Sequence, residues 1–468
     1  MTGAPESAAR PILPRRVAIL GFARSGQALA KALVDRGVEV AVGERAPESA
    51  FEGVSELRAR GVRFFFDGPA EEFLQGAGWL ALSPGVPLSA PPVVAARSRG
   101  LPVLAEIEIA WRIAESEARG NRWVAVTGTN GKSTTTAWIA DILGRAGRPV
   151  ALAGNIGVPV SAFLGERGAR DFVCELSSFQ LDAVDGFAPD VAVLTNVTPD
   201  HLDRYPGFAQ YAAAKERVFA WQGPRDFAVV NADDLVASRA KTAARRVPFS
   251  RTRRAEGGAW LEGESLFSAL AGAPREVLRV RELSLSGAHN VENALAALCA
   301  AECLGAPADA IRAGLAGFSG LPHRTELVAE ARGVRWVDDS KGTNVDATKK
   351  SLEGYAPGSV LLILGGRDKH GDFAALLPQV ARAARRVLTI GEAATAIERA
   401  LTGSVEIERL ETMERAVARA GELARPGDTV LLSPACASFD QYANFEQRGA
   451  HFSRLARAAS NPEKSHGA

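Results

Sequence analysis

At 468 residues the chain is too long for one hydrophobic core, and its 47% hydrophobic and 23% charged residues are those of an ordinary globular protein of about three domains. Its 55 lysines and arginines offset 54 aspartates and glutamates to a net +1. That balance excludes a global field drawing the chain to nucleic acid or anionic lipid.

Strand-like runs alternate with helical patterns, which predicts an α/β protein with mainly parallel sheets. Val17–Leu20 runs into Gly21-Phe22-Ala23-Arg24-Ser25-Gly26, a helical pattern continues to Arg36, and a second strand, Val38–Val42, ends at Glu44-Arg45. This is the layout of a dinucleotide-type βαβ unit, with an acidic residue about twenty positions beyond the turn. Ala23, however, replaces the middle glycine that lets a diphosphate come close, so a Rossmann-like domain without NAD fits equally well. Trp79–Leu82 is the next strand and ends at Ser83-Pro84-Gly85-Val86-Pro87, a position where α/β sheets bind ligands. A helical stretch, Ala105–Glu117, and polar Ala118–Arg122 mark a first boundary.

The strand Trp123–Val126 breaks into Val126-Thr-Gly-Thr-Asn-Gly-Lys-Ser-Thr-Thr-Thr136 and then a helix. A Gly-rich turn opening a helix converges backbone N–H groups on an anion. Gly128 and Gly131 would let phosphates approach, Lys132 would reach the β- and γ-phosphates, and the Ser133 hydroxyl would ligate Mg²⁺. Val126 stands where the general phosphate-loop pattern has glycine, so that match is partial. Further strands are expected at Phe172–Leu176, Val191–Asn196 and Phe227–Asn231. Glu175 is the carboxylate chosen to complete a Mg²⁺ site, because Mg²⁺ takes oxygen ligands and keeps several waters. His201 sits between Asp200 and Asp203, and Lys215, on a helix, reads by spacing alone as a solvated lysine. Arg251-Thr252-Arg253-Arg254 reads as solvated surface, within a polar excursion from Ser250 to Glu264.

An Ala-rich helix is expected from Asn290, carrying Cys299 and Cys303 one turn apart, which suits packing better than a disulfide. A hinge is expected at Phe318–Pro322. The last third shows strands at Val334–Val337, Val360–Leu364, Val387–Ile390 and Val430–Leu432. They lead to Asp338–Asn344, Gly365–Lys369 and Ser433–Asp440, a face rich in Lys, Ser, Thr and Gly suited to an anionic ligand. The tail beyond Ala458 is polar and expected to fray. With no apolar core in Met1–Arg16 and no run near 18 apolar residues, a cytoplasmic, reduced protein is expected.

Several motifs together resemble the Mur ligases, the ATP-dependent amide ligases of peptidoglycan synthesis. They are the phosphate loop, Gly154-Asn-Ile-Gly, Glu175-Leu-Ser-Ser-Phe-Gln, Asn196-Val-Thr-Pro-Asp-His-Leu-Asp-Arg-Tyr, Gly287-Ala-His-Asn-Val-Glu-Asn-Ala and Leu321-Pro-His-Arg. Asp339-Ser-Lys-Gly-Thr-Asn and Ser433-Pro-Ala-Cys-Ala-Ser-Phe-Asp-Gln-Tyr-Ala-Asn-Phe-Glu-Gln-Arg-Gly look like the branch that adds D-glutamate. The family's own loop also carries the Val126 variant.

The resemblance implies three domains: Rossmann-like 1–114 for the UDP moiety, P-loop-type 115–321 for ATP, and Rossmann-like 322–468 for the amino acid. It implies UDP-N-acetylmuramoyl-L-alanine, D-glutamate and ATP as substrates of a monomer, with two Mg²⁺ sites. Gly128, Thr129, Asn130, Gly131, Lys132, Ser133, Thr134, Asn293, Arg324 and Asp339 would contact the nucleotide. Ser25, Arg45 and Ser83 would serve the uracil end and Asn155 the muramoyl group. Lys341, Thr343, Lys369, Ser438 and Phe445 would gather around D-glutamate. Ser133 and Glu175 would hold one Mg²⁺, and His201 with Lys215, as the family's carbamylated lysine, the other. Lys132, His201 and Lys215 would be the catalytic set, with His201 also touching substrate. A sister ligase, a folylpolyglutamate-type ligase, a regulatory nucleotide-binding protein and an NAD-dependent dehydrogenase are the competing readings.

Overall fold

The computed structural model describes residues 13–68, 70–117, 119–201, 204–369 and 371–460. Asp203, most of Met1–Arg16 and the tail after 460 lie outside the described residues; the last helix, Phe445–Ser460, runs past Ala458.

The first sheet is all parallel, built from β1 (Arg16–Leu20), β2 (Glu39–Glu44), β3 (Arg63–Phe66), β4 (Trp79–Leu82) and β5 (Val103–Ala105) in the order β3-β2-β1-β4-β5. Val17–Leu20 and Trp79–Leu82 are buried along their whole length, as strands covered on both faces must be. The strand order reverses between β1 and β4, the switch point where such sheets open a crevice.

The second sheet has nine strands: β6 (Arg122–Thr127), β7 (Val150–Gly154), β8 (Asp171–Glu175), β9 (Val191–Leu194), β10 (Phe227–Asn231), β11 (Arg245–Ser250), β12 (Ala259–Glu262), β13 (Ser265–Ser268) and β14 (Arg275–Arg279). Their order is β14-β13-β12-β11-β10-β9-β6-β8-β7, parallel as far as β12 and antiparallel through the β12–β13–β14 meander. The polar excursion expected over Ser250–Glu264 is thus partly sheet. Ala259 and Trp260 are buried there despite the polar, Gly-rich surroundings, and their burial holds β12 in place. The arginine cluster lies at the surface, with Thr252, Arg253 and Arg254 exposed, and it makes contacts there: Arg251 pairs with Glu292, Arg253 donates to the Ala232 carbonyl, and Arg254 lies over the Trp260 ring.

The third sheet, β15 (Glu326–Ala331), β16 (Val334–Asp338), β17 (Val360–Gly365), β18 (Ala384–Ile390), β19 (Glu406–Glu411) and β20 (Thr429–Leu432), runs β15-β16-β20-β17-β18-β19 with only β15 antiparallel. Alternate residues of β17 and β20 feed two cores: Leu362, Leu364 and Leu431 on one face, Leu361, Ile363, Val430 and Leu432 on the other. One compact unit carries the first two sheets; the other carries the third sheet with residues 198–206 and 280–291.

No described helix is long and apolar enough to cross a membrane. None of the four cysteines forms a disulfide; Cys299 and Cys303 lie on the helix Ala288–Cys303, and Cys174, Cys299 and Cys436 are buried.

The helices Lys132–Arg145 and Ala308–Gly317 meet at a glycine. Trp138 Nε1 donates to the Gly314 carbonyl at 3.0 Å, and a Cβ on Gly314 would lie 2.5 Å from Ile142 Cγ1 and 3.2 Å from its Cα. Helix propensity alone would favour alanine there by about 1 kcal/mol. Overpacking costs about 1–3 kcal/mol and should win. Gly314→Ala is therefore expected to lower the melting temperature; a rise would show that the helices can part without cost.

Candidate active site

Parallel pairing places Val126 of β6 opposite Glu175 of β8, so the phosphate loop and Glu175 leave the sheet side by side. Gly128 (φ 142°) and Gly131 (φ 82°, the N-cap of the helix Lys132–Arg145) occupy backbone conformations that L-residues avoid. A Cβ on Gly128 would strike Thr195 Oγ1, and one on Gly131 would strike Asn293 Oδ1. Thr195 Oγ1 (2.7 Å) and Asn196 Nδ2 (3.1 Å) both donate to the Asn130 carbonyl, while Asn130 N donates to Asn196 Oδ1 (3.0 Å). Thr135 Oγ1, in the helix that follows the loop, donates to Asn293 Oδ1 at 3.3 Å, so Asn293 stands beside the loop.

Glu175 is buried and fully engaged: Oε2 accepts from Ser133 Oγ and Oε1 from Asn155 Nδ2 at 2.8 Å. Hydroxyl and carboxylate oxygens in contact are the donor types Mg²⁺ takes, so Ser133 and Glu175 fit the expected ion. Asn155 follows Gly154, where a Cβ would strike the Glu175 carbonyl. Lys132 Nζ donates to the Thr129 carbonyl at 2.7 Å.

Lys215 corrects its reading as a solvated side chain. It is 2% exposed, donates from Nζ to the Gly128 carbonyl at 2.7 Å and lies 4.6 Å from the centre of the Tyr211 ring, whose hydroxyl meets Thr129 Oγ1. Its helix has almost no amphipathic pattern to betray burial; Tyr211, Ala212 and Ala214 are buried with it.

In the first sheet, Ser83 Oγ donates to the Gly21 carbonyl at 2.9 Å across the switch point. The Glu44 carboxylate accepts from the backbone N–H groups of Phe22, Arg45 and Ala46. Arg45 and Ser83 directly follow β2 and β4, and Ser25 lies in the first turn of the helix Arg24–Val34 that follows β1. A groove of about 640 Å³ lies elsewhere, between the helix Arg24–Val34 and residues 157–165, and Ser25, Arg45 and Ser83 do not line it.

His201, Arg324, Asp339, Lys341, Thr343, Lys369, Ser438 and Phe445 all belong to the second unit. His201 has φ 53°, and its Nε2 is 3.7 Å from Asp200 Oδ2. Asp200 accepts from Asn344 Nδ2 (3.1 Å), and Thr198 Oγ1 donates to Asp346 (3.1 Å), so this loop is held by the N-terminus of the helix Val345–Glu353. Asp339 is buried and accepts from Ser433 Oγ at 2.8 Å; burial pushes its carboxyl up to about 7 against the pull of Ser433 and Arg324. Lys341 Nζ lies 3.9 Å from the Phe445 ring centre, and Ser438 is buried. Cys436 is buried beside them and its thiol is pushed up to about 12 by burial.

Four residues not singled out beforehand matter here. His323 (φ 63°) meets Asp338 Oδ2 through Nδ1 at 2.7 Å, and its backbone N donates to Glu326. His323, Glu326 and Asp338 could converge on a metal ion, but Asp338 Oδ2 already accepts from His323 and from Ser453 Oγ. A half-buried histidine paired with a buried carboxylate accounts for the cluster. Arg448 is the fourth, 1% exposed among carbonyl groups. The quoted motifs Leu-Pro-His-Arg and Glu-Gln-Arg-Gly contained both His323 and Arg448 without giving either a role.

A Gly-rich strand-to-helix loop at the end of β6 in a mostly parallel sheet, with a Rossmann-like sheet earlier in the chain and another later in it, defines a multidomain α/β protein. The family model for the Mur ligase MurD-like N-terminal domain matches residues 15–105, the Mur ligase middle domain 126–301, and the Mur ligase glutamate ligase domain 323–436. The chain belongs to the Mur ligase family. It is 44% identical to the UDP-N-acetylmuramoylalanine–D-glutamate ligase of Acidobacterium capsulatum over 95% of this chain and 96% of that one. Identity to the same-named protein of Anaeromyxobacter dehalogenans is also 44%, over 94% and 97%. Among solved structures it resembles the MurF ligase of Thermotoga maritima in complex with ADP (TM-score 0.61, 16% identity, 91% of this chain and 95% of that one). It also resembles the UDP-N-acetylmuramate-alanine ligase of the same organism (TM-score 0.59, 19% identity, 95% and 99%). At these identities the structures speak for the shared fold.

The carboxylate of Asp338 holds the His323 imidazolium above its ordinary range, with Glu326 and Glu446 adding to the pull against partial burial. A raised folded-state pKa makes this contribution full below the unfolded value of about 6.5 and removes it as pH rises through the folded value. The melting-temperature gap between the wild type and His323→Gln should therefore be widest near pH 6 and shrink towards pH 9. A gap that widens with pH would mean that the imidazole is neutral.

Proposed function

We propose that this chain is the ATP-dependent, ADP-forming ligase that joins D-glutamate to UDP-N-acetylmuramoyl-L-alanine, in cytoplasmic peptidoglycan precursor synthesis, acting as a monomer. The observation carrying this reading is 44% identity to ligases of that name along nearly the whole chain, with the phosphate loop, Glu175 and the C-terminal strand-end loops all in place. Residues 1–114 would hold the UDP moiety, 115–321 ATP and 322–468 D-glutamate. Ser25, Arg45 and Ser83 would meet the uracil end.

The substrate carboxylate attacks the γ-phosphate of ATP, the bond to the β,γ-bridging oxygen breaks to release ADP, and the carboxylate becomes an acyl phosphate. The amine of D-glutamate then attacks the acyl carbon, and the tetrahedral intermediate collapses to amide and phosphate. Two anions must meet in the first step, so charge neutralisation is the main demand. Lys132 would leave the Thr129 carbonyl to supply an ammonium at the transferring phosphate. Bound Mg²⁺ supplies further charge neutralisation between carboxylate and phosphate oxygens. Ser133 and Glu175 would hold one ion, and His201 with Lys215 a second. Asn155, which donates to Glu175, would turn its amide to the muramoyl substrate. Asn293, Arg324 and Asp339 would contact the nucleotide. Lys341, Thr343, Lys369, Ser438 and Phe445 would receive D-glutamate, whose two carboxylates suit lysine and hydroxyl donors.

As an ammonium Lys215 is a donor only and would repel a metal; as a carbamate it becomes an oxygen ligand. Carbon-13 NMR of protein equilibrated with labelled bicarbonate should show one carbamate that Lys215→Arg lacks, and that variant should keep its melting temperature while losing turnover. A fully active Lys215→Arg would remove the carbamate from the mechanism.

The reading as a whole is tested by phosphate release from ATP with UDP-N-acetylmuramoyl-L-alanine and each amino acid in turn. Only D-glutamate should support turnover, because neutral amino acids leave the lysine donors unpaired. Lys369→Ala should raise the KM for D-glutamate by about 10- to 100-fold, the value of a charge-assisted hydrogen bond, with the KM for ATP little changed. Equal use of alanine or a diamino acid would move the chain to a sister ligase.

A further inference from the structure

Arg448 lies in the first turn of the helix Phe445–Ser460, is 1% exposed, and spends its guanidinium on neutral oxygens alone. Nε donates to Ser340 Oγ (3.0 Å), Nη1 to the carbonyls of Cys436 and Ala437 (3.2 Å each), and Nη2 to those of Ser340 (2.8 Å) and Cys436 (3.1 Å). No carboxylate pairs with it among the described residues. A buried cation without a counter-ion is costly, and apolar side chains often fill such a place with no loss of stability. Packing alone therefore does not account for the arginine.

Its partners share one property. Ser340 and Cys436–Ala437 follow β16 and β20, which are neighbours in the third sheet. Ser340 Oγ donates in turn to the Phe445 carbonyl at 2.9 Å, closing a ring back to the helix that carries Arg448. The Ala437 carbonyl also accepts from Arg367 N at 2.8 Å, and Ala437 N donates to the Arg367 carbonyl, which ties in the loop after β17. A Cβ on Gly366 would come within 3.0 Å of Arg448 Nη1, so the guanidinium is fitted against that loop as well. Lys341, Lys369 and Ser438 each stand one or two residues from an atom in this network, and Phe445 is in it.

We infer that Arg448 is a positioning residue for the incoming amino acid: it sets the register of the three strand-end loops that present Lys341, Lys369, Ser438 and Phe445, and touches no substrate itself. This rests on those residues forming the amino-acid site. Loss of the guanidinium lets the loops part, so recognition of the amino acid suffers while the phosphate loop, in the other compact unit, keeps its geometry.

The test compares wild type, Arg448→Lys and Arg448→Met by melting temperature and by KM for all three substrates. The KM for D-glutamate should rise roughly tenfold or more in Arg448→Met, with those for ATP and the UDP-linked substrate within about threefold of wild type. Arg448→Lys, which keeps the charge and part of the donor set, should recover part of the loss. An unchanged KM for D-glutamate in a folded variant, or equal increases for all three substrates, would overturn the inference. If Arg448→Met does not fold, the same criteria apply to Arg448→Lys. Should the wild type prefer another amino acid, the D-glutamate reading fails on that result alone, and the KM comparison is made with the preferred one.

Discussion

Everything at the phosphate end depends on the parallel register that sets Val126 beside Glu175. Strands that leave a sheet in the same direction release their loops on one edge, and β6, β8 and β9 deliver the phosphate loop, Glu175 and Thr195-Asn196 there together. Once they are adjacent, the loop can be shaped by side chains of its neighbours. Thr195 and Asn196 hold the Asn130 peptide from both sides, and Asn293 closes the space over Gly131. The two glycines are thus required by crowding as well as by dihedral angle. A one-residue slip of β8 would turn Glu175 to the opposite face of the sheet.

The same logic governs the third sheet, where polar groups are buried at strand ends and each is matched to a partner. Asp338 takes His323 and Ser453, Asp339 takes Ser433, and Arg448 takes a set of carbonyls. Partly satisfied networks are expensive in a low-dielectric interior, and these are closely satisfied. Such networks favour one arrangement of loops over many, which is what the proposed site for a small, doubly charged amino acid would demand.

Strands with continuous apolar runs, such as Trp79–Leu82 and Phe227–Asn231, were legible in the sequence to the residue, because parallel strands covered on both faces need such runs. Glycine and lysine spacing made the phosphate loop legible, and a carboxylate between Cys174 and Leu176 needed a partner, which Ser133 and Asn155 provide. The β12–β14 meander was hidden because only one face of short strands is apolar and arginines and glycines flank them. Lys215 was hidden because burial of a lysine is decided by groups far away in sequence, here the Gly128 carbonyl 87 residues back, while the Tyr211 ring one turn away gives no sign of burial by itself. Arg448 was hidden for a like reason, since it bonds Ser340, 108 residues away, as well as carbonyls 11 and 12 residues before it, and residue type alone makes an arginine look exposed.

The burial of the cysteines carries a chemical consequence. Burial raises the thiols of Cys174 and Cys299 and pushes those of Cys303 and Cys436 up to about 12. A thiol held that high is scarcely ionised at neutral pH, and the thiolate is the nucleophile. Cys436 therefore sits in the loop that would bind the amino acid yet offers electrophiles almost nothing to attack. Compounds aimed at this loop would have to bind by shape and charge, since a cysteine-directed warhead would find no reactive sulfur there.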